Sequence, residues 1–538
     1  MDPRLLRIIL PVALLFTPAA GAKPNIVVIL ADDLGYADLG CQGCADIPTP
    51  QIDSIAAAGV RFTDGYATHP VCSPSRAGLM SGMYQHRFGF EHNSGPERYA
   101  AANFGLPRNV PTLAEKLKAA GYATAMVGKW HIGFQPGLRP WERGFDYYYG
   151  FLSGAHTYLP GGADVDAVVR NGTAVEVQEY LTDAFGRESA EFIRRSKEKP
   201  FFLYLAFNAV HSPLEATTEY EERFPAIADR KRKTYAGMLS AMDDAVGSVL
   251  GTLRDHQLEE NTLVFFYSDN GGPTPQTTSR NDPLRGYKGQ VFEGGIRVPF
   301  SMQWKGKLPA GKVYPKPVMA FDIHATALAA AGGTLAGSAS EENSDDIDGV
   351  NLLPYLLGER SGAPHDSLFW RGGPQHAARL GDWKLVRDPR QGERDMLFNL
   401  AEDVGEENDL TAERPDKLKE LQDAYDAWDK QMMPAQWIRQ DSRNAEPGGK
   451  LKEQPAPRGR ARRGGTLRDV FNELDRNGDG KLTKDEVPRP ELFERMDSDG
   501  DGFVTTEEAR QYSRSRRAPQ SPGATSRPST GTSAGKTT

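Results

Sequence analysis

The chain predicts an α/β fold with a large, mostly parallel central sheet, followed by a small C-terminal α+β subdomain and a helical pair. Three observations carry that expectation. Residues 25–30, 201–207 and 263–267 are continuous apolar runs, the pattern of strands buried on both faces. Each gives way to polar residues, and the carboxyl edge of a parallel sheet is where α/β proteins hold ligands. From about Asp366 the texture changes to short strand-like runs at 368–370, 383–386 and 397–400. A helical stretch over 418–428 follows, and residues 366–440 read as a second, smaller layer.

At 538 residues the chain exceeds what one core supports, so at least two folded units are expected. A 39% hydrophobic content and a net charge of −8 suit a globular protein and give no basic balance for nucleic acid. Arg4 and Arg7 precede an apolar run over 8–16, and Ala20-Gly21-Ala22 supplies small residues for cleavage. Residues 1–22 therefore read as a signal peptide, which predicts export to the periplasm or medium and a mature chain from near Lys23. No later segment reaches the roughly 20 apolar residues of a membrane span. Three cysteines are too few for a disulfide scaffold. The C-x-x-C pair Cys41 and Cys44 reads as a local disulfide or two packed thiols rather than a redox or zinc centre.

In chain order, the run 25–30 ends in Asp32-Asp33, two acids costly to leave unpaired if buried, and an ordinary turn if solvated. Thr49-Pro50 predicts a helix with Ile52 and Ile55 on one face and Gly59 as its stop. In Cys72-Ser73-Pro74-Ser75-Arg76, Ser73 suits a cap and Pro74 a first helical position. Cys72 then sits at a helix N-terminus, where free N–H groups favour an anion, with Arg76 adding a fixed positive charge. A helix is expected over 111–120, with Leu113 and Leu117 inward and Gly121 ending it.

Residues 122–131 read as a strand whose alternation puts Lys129 and His131 on one face. Ser153 and His156, after the aromatic run 147–149, are weak candidates for substrate contact. His211 closes the run 201–207 just before Ser212-Pro213, a satisfied structural histidine or a positioned acid. Asp269 and Asn270 offer two oxygen ligands, with Gly271 and Gly272 permitting close approach. Lys288 lies in a glycine-rich loop, a modest anion signal.

Residues 441–465, rich in Pro, Gly, Arg and Lys, read as a flexible linker. Beyond it, Asp475, Asn477, Asp479, Lys481 and Glu486, then Asp497, Asp499, Asp501, Phe503 and Glu508, occupy the ligand positions of two 12-residue EF-hand loops. The starts of these loops are so close that one connecting helix must be brief. The module, residues 466–512, fits a calcium-loaded staple, a docking handle for a partner or a calcium sensor. Residues 513–538 have a disordered composition.

The run from Cys72 to Gly82 resembles the type I sulfatase signature C-x-P-S-R-x-x-L-x-x-G, and residues 121–131 resemble that family's G-Y-x-T-x-x-x-G-K-W-H. The resemblance covers about residues 23–440 and implies an alkaline-phosphatase-like sandwich, with a catalytic domain over 23–365. It implies that a formylglycine-generating enzyme oxidises Cys72 to formylglycine. It also implies a Ca²⁺ held by Asp32, Asp33, Asp269, Asn270 and residue 72. Arg76 would orient the hydrated aldehyde, Lys129 and Lys288 would bind sulfate, His211 would protonate the leaving alcohol and His131 would act as base. The segments around His211 and over 284–299 look most like the N-acetylgalactosamine-sulfatase and arylsulfatase B branch. A sulfated carbohydrate or aryl sulfate is the implied substrate. A phosphodiesterase or phosphonate hydrolase of the same superfamily, and a non-catalytic calcium-dependent glycan-binding protein, are the alternatives.

Overall fold

A computed structural model describes residues 23–95, 103–162, 166–332 and 347–437. In the C-terminal region it describes 471, 481–484, 487, 490–505, 508, 509 and 512. The leader, the linker 441–465, the tail and the first-loop residues Asp475, Asn477, Asp479 and Glu486 lie outside the described residues. The chain divides into two compact units, Met1–Ala445 and Glu446–Thr538.

In the first unit the strands are β1 (Asn25–Ala31), β2 (Val60–Phe62), β3 (Gly65–Tyr66), β4 (Ala123–Lys129), β5 (Tyr147–Phe151), β6 (Val169–Arg170) and β7 (Thr173–Ala174). There follow β8 (Phe201–Ala206), β9 (Thr262–Ser268), β10 (Phe300–Gln303), β11 (Lys312–Tyr314) and β12 (Val318–Met319). The last four are β13 (Ser367–Gly372), β14 (Gln375–Leu380), β15 (Trp383–Arg387) and β16 (Asp395–Asn399). Ten form one sheet in the order β11-β2-β10-β9-β1-β8-β4-β5-β6-β7. The central five, β9-β1-β8-β4-β5, are all parallel, and β10 is antiparallel to both its neighbours.

The apolar runs are continuous because both faces of the sheet are covered. Ile26, Val28, Leu30, Phe202, Tyr204, Phe265 and Tyr267 enter one core. The intervening Val27, Ile29, Leu203, Leu205, Val264 and Phe266 enter the other, with helix Arg230–Asp255 against them. Alternate side chains of one strand thus serve different cores. A third core joins the four-stranded antiparallel sheet β13-β14-β15-β16 and helix Pro415–Asp429 to Tyr66, Phe292 and Phe321 of the large layer.

Four helices connect the early strands: α1 (Pro50–Ala57), α2 (Cys72–Ser81), α3 (Leu113–Ala119) and α4 (Leu181–Ser196). α3 begins on a capping box between Thr112 and Glu115. α2 begins two residues earlier than Pro74 suggests: Val71 is the cap residue and Cys72 is already helical. Ser73 is therefore no cap. Its hydroxyl donates to the His131 carbonyl. No helix among the described residues is long and apolar enough to cross a membrane.

In the second unit, Leu482 pairs with Val504 in a short antiparallel ladder. Both enter an apolar cluster with Phe471, Val487, Phe493 and Met496. The helix Pro490–Met496 between the loops has only 7 residues, as their close spacing requires.

Candidate active site

The central parallel strands deliver the acids. Asp32 and Asp33 follow β1 and Asp269 and Asn270 follow β9, so parallel register brings residues more than 230 positions apart side by side. Asp33 takes a left-handed backbone, φ 63, to make the turn. Its amide donates to Asp269 Oδ1 at 3.3 Å, and its Oδ1 accepts from Asn270 Nδ2 at 2.8 Å.

Cys72, the first residue of α2, enters this group. Its Sγ lies 3.5 Å from Asp32 Oδ1, 3.8 Å from Asp33 Oδ1 and 3.2 Å from Lys288 Nζ. The cations interleave with the carboxylates. Lys129, at the end of β4, contacts Asp32 Oδ2 at 2.6 Å. Lys288 reaches Asp33 Oδ1 at 2.6 Å. Arg76, one turn along α2 from Cys72, donates from Nε to Asp269 Oδ2 and from a terminal nitrogen to the Lys129 carbonyl, each at 2.8 Å. His211 Nε2 is 3.6 Å from Asp33 Oδ2.

His131 arrives by a different route from the one its spacing implied. β4 ends at Lys129, and His131 sits beyond it at φ 61, so strand alternation does not aim its ring. The loop before α3 does: His131 Nε2 is 3.1 Å from the Ser94 carbonyl, while Ser94 Oγ donates to the His131 carbonyl at 3.0 Å. With Nε2 as the donor, Nδ1 is left as a buried nitrogen without a hydrogen-bond partner. Asn93 Oδ1 accepts from the Ser73 amide at 2.9 Å and so steadies α2. Neither Asn93 nor Ser94 carried a motif; the His92-Asn93-Ser94 run was the only local trace. Ser153 turns its hydroxyl to the Ala155 carbonyl, and His156 lays its ring on Phe151.

The electrostatics follow from burial and pairing. Burial opposes charge on Asp32, but Lys129, His211, Arg76 and Lys288 hold its carboxyl far below the usual range. Burial and the charge of Asp32 push Asp269 upward despite Arg76. Burial raises the Cys72 thiol and lowers both His211 and His131. Burial alone would lower Lys288, but Asp33 and the neighbouring Cys72 and Asp32 raise it above its normal value.

Asp32, Asp33, Cys72 and Asp269 bring ligand atoms within 4.8 Å of one another. Asn270 Oδ1 is buried beside them with no donor. Three carboxylates and an unpartnered amide oxygen form a hard, all-oxygen set that fits Ca²⁺. Cys41 and Cys44 are free, half-buried thiols, and Cys44 Sγ lies 3.2 Å from Asp46 Oδ1. In the second unit, Asp497, Asp499 and Glu508 converge in the same way. Phe503 donates its amide to Asp501 Oδ1 at 2.8 Å, and Lys481 pairs with Thr505 in the ladder.

A family profile described as Sulfatase matches residues 24–333, and one described as EF hand matches 467–487 and 491–511. N-acetylgalactosamine-6-sulfatase of Sus scrofa is 35% identical over 402 residues, 70% of this chain and 74% of that protein. Arylsulfatase J of Mus musculus is 30% identical over 478 residues, 79% of each chain. The crystal structure of Ps i-CgsB in complex with k-i-k-neocarrahexaose superposes with a TM-score of 0.72 at 36% identity, covering 78% of this chain and 96% of that one. With both the fold and the residue constellation in place, the chain belongs to the sulfatase family of sulfuric ester hydrolases.

Proposed function

We propose that this chain is an exported, calcium-dependent sulfatase that cleaves sulfate monoesters on a sulfated carbohydrate, with residue 72 matured from cysteine to formylglycine. The observation that carries the reading is the position of Cys72 Sγ, within 3.2–3.8 Å of Lys288, Asp32 and Asp33 at the start of α2. A buried thiol held protonated is a poor nucleophile, which argues against catalysis by the unmodified side chain. As a hydrated aldehyde, residue 72 supplies two hydroxyls on one carbon, one to attack sulfur and one whose deprotonation resets the site. Asp32, Asp33, Asp269 and Asn270 would hold Ca²⁺, which supplies polarisation of the sulfuryl oxygens and acidification of the attacking hydroxyl.

The chain's own groups do the rest. Lys129 and Lys288 place positive charge where the sulfate oxygens gather negative charge. Arg76, clamped between Asp269 and the Lys129 carbonyl, holds the first turn of α2 in line. His131 presents its bare Nδ1 as proton acceptor. Burial lowers the His211 pKa against the pull of Asp33, and the charge of a bound ester favours its protonated form, the form that donates to the departing alcohol. The N-acetylgalactosamine-6-sulfatase among the chain's relatives, together with the neocarrahexaose complex of Ps i-CgsB, supports a sulfated carbohydrate as substrate.

We read residues 23–365 as the catalytic domain, 366–440 as its C-terminal subdomain and 466–512 as a calcium-loaded staple. Peptide mass spectrometry across Cys72, combined with sulfate release from an aryl ester and a panel of sulfated glycans, tests the main reading. Aldehyde with sulfate release supports it. An all-thiol peptide, or faster turnover of the matched phosphate ester, overturns it.

A further inference from the structure

The loop that carries Lys288 is held from two sides. Gly289 turns at φ 84, a left-handed conformation that favours glycine. Its amide donates to the Pro70 carbonyl at 2.8 Å, two residues before Cys72. Its carbonyl faces the other way and accepts from the C-terminal sheet: Gln375 Nε2 at 2.8 Å and an Arg390 terminal nitrogen at 3.1 Å.

Those two donors are themselves fixed. The same Arg390 nitrogen donates to Gln375 Oε1 at 2.9 Å. Asp388, fully buried, grips the guanidinium through Nε and through that nitrogen, each at 2.8 Å. Gln375 stands at the tip of the β13–β14 hairpin, opposite Gly372. A Cβ on Gly372 would lie 3.2 Å from His69 Nε2, so the tip packs directly on the segment leading into Cys72.

One peptide group therefore links three parts: the segment of residue 72, the backbone of Lys288 and the C-terminal subdomain. Lys288 Nζ, one residue away, lies 3.2 Å from Cys72 Sγ. An error of about 1 Å in such a group is enough to cost a large factor in rate.

We infer that Gln375 and Arg390 are positioning residues: with Asp388 they pin the Gly289 carbonyl and so set the Lys288 ammonium over residue 72. The inference rests on the reading of Lys288 as a sulfate ligand. It gives the C-terminal subdomain a part in the chemistry that the contacts of the reacting groups do not reveal. Neither residue touches the carboxylate cluster. Their effect passes through Lys288.

The experiment compares wild type with Gln375→Glu, which keeps the shape but replaces the donor by a carboxylate, and with Arg390→Ala. All are checked for equal aldehyde content at residue 72. A small aryl sulfate is the substrate and inorganic sulfate the competitive inhibitor. The expected result is a fall of about 10-fold in kcat/KM for each variant, with KM and the sulfate inhibition constant rising together; the unfolding midpoint of Gln375→Glu moves by less than about 3 °C, and that of Arg390→Ala falls further because buried Asp388 loses its cation.

A loss confined to kcat, with KM and sulfate inhibition unchanged, is the signature of a merely structural role and overturns the inference. So does a loss seen only on sulfated oligosaccharides, which would make these residues glycan contacts. Lys288→Ala, measured alongside by sulfate inhibition, separates the two layers of the argument. If it leaves inhibition unchanged, the assignment of Lys288 fails and the inference with it. If it weakens inhibition while Gln375→Glu and Arg390→Ala do not, the clamp alone fails.

Discussion

The molecule buries two ionic clusters of the same composition, three carboxylates with three cations. One gathers Asp32, Asp33 and Asp269 with Arg76, Lys129 and Lys288. The other, between the large layer and the C-terminal sheet, gathers Asp64, Glu293 and Glu406 with Arg297, Arg379 and Lys384. In the second, Lys384 contacts Glu293 at 2.7 Å and Glu406 at 2.8 Å, and Arg379 contacts Asp64 at 2.7 Å. Arg297 contacts Glu293 at 3.2 Å, and the Tyr66 hydroxyl donates to Glu293 at 2.7 Å.

Burial, displaced pKa values and even left-handed backbone do not tell the clusters apart, since Glu406 sits at φ 54 as Asp33 sits at φ 63. Two other features do. The centre of the second cluster, Lys384, Glu293 and Glu406, is fully buried and only its Asp64 end reaches 12% exposure, whereas in the first Lys288 and His211, beside the central Asp33, are 16% and 17% exposed and open it to solvent. The first cluster also leaves Asn270 Oδ1 and His131 Nδ1 with neither a hydrogen bond nor an ion pair, whereas Glu406 Oε1 of the second, though it lacks a hydrogen bond, lies 2.8 Å from the Lys384 ammonium. A buried charge network that closes on itself is architecture. One that leaves an acceptor bare at a solvent opening has room for a ligand.

The largest expected contrast is in turnover. Cys72→Ala lowers sulfate release by about 10⁴-fold or more, while its unfolding midpoint in calcium stays within about 3 °C of wild type. A residual rate above a hundredth of wild type would remove residue 72 from the chemistry and with it the main distinction between the clusters.

Lys384→Met inverts that pattern. It strands Glu293 and Glu406 without their shared cation and costs about 3–5 kcal/mol in denaturant unfolding, with kcat of the folded fraction changed by less than about tenfold. A neutral substitution would mean that the second cluster is held by its packing rather than by its charges.

Chelation of divalent ions comes next. It stops turnover reversibly and lowers the stability of the larger unit by about 2–4 kcal/mol, both restored by Ca²⁺. On the proposed reading the ion would screen three carboxylates in the first cluster and none in the second, so chelation of Lys384→Met is expected to subtract a similar amount again.

The smallest effect is a slope with pH. Burial and the nearby Glu293 push Glu406 up to about 7 despite Lys384. Between about pH 4.5 and 7 the folded chain keeps a proton that the unfolded chain has released, so folding stability falls as pH rises through that window. Glu406→Gln flattens that fall by about 1–2 kcal/mol between pH 5 and 8. An unchanged slope in denaturant titrations would place the titration elsewhere.

Much of the first cluster was legible because local rules mark its places, acids after apolar strands, a cysteine at a helix start and a lysine among glycines, and because the resemblance to the sulfatase signatures favoured those residues over ordinary turns and surface charges. The second left no trace. Asp64, Glu293, Arg297, Arg379, Lys384 and Glu406 are spread over more than 340 positions, and although Glu293 and Arg297 fall in the family-like segment 284–299, nothing local marks any of the six as paired. The Gly289 clamp was hidden for the same reason, since a backbone carbonyl has no signature and Gln375 is distant in sequence. His131 shows the limit inside a motif: its presence could be read, but its direction depended on Ser94 and a left-handed turn.

By itself, the sequence determined the central strands β1, β4, β8 and β9 and the starts of the helices near them, and which acids, cations and cysteine lie at their ends, because periodicity and caps act over a few residues. Only the tertiary structure decided which charges meet, which are sealed and which face an opening. Those outcomes depend on parallel register and sheet-on-sheet contact between segments hundreds of residues apart, where no local preference reaches.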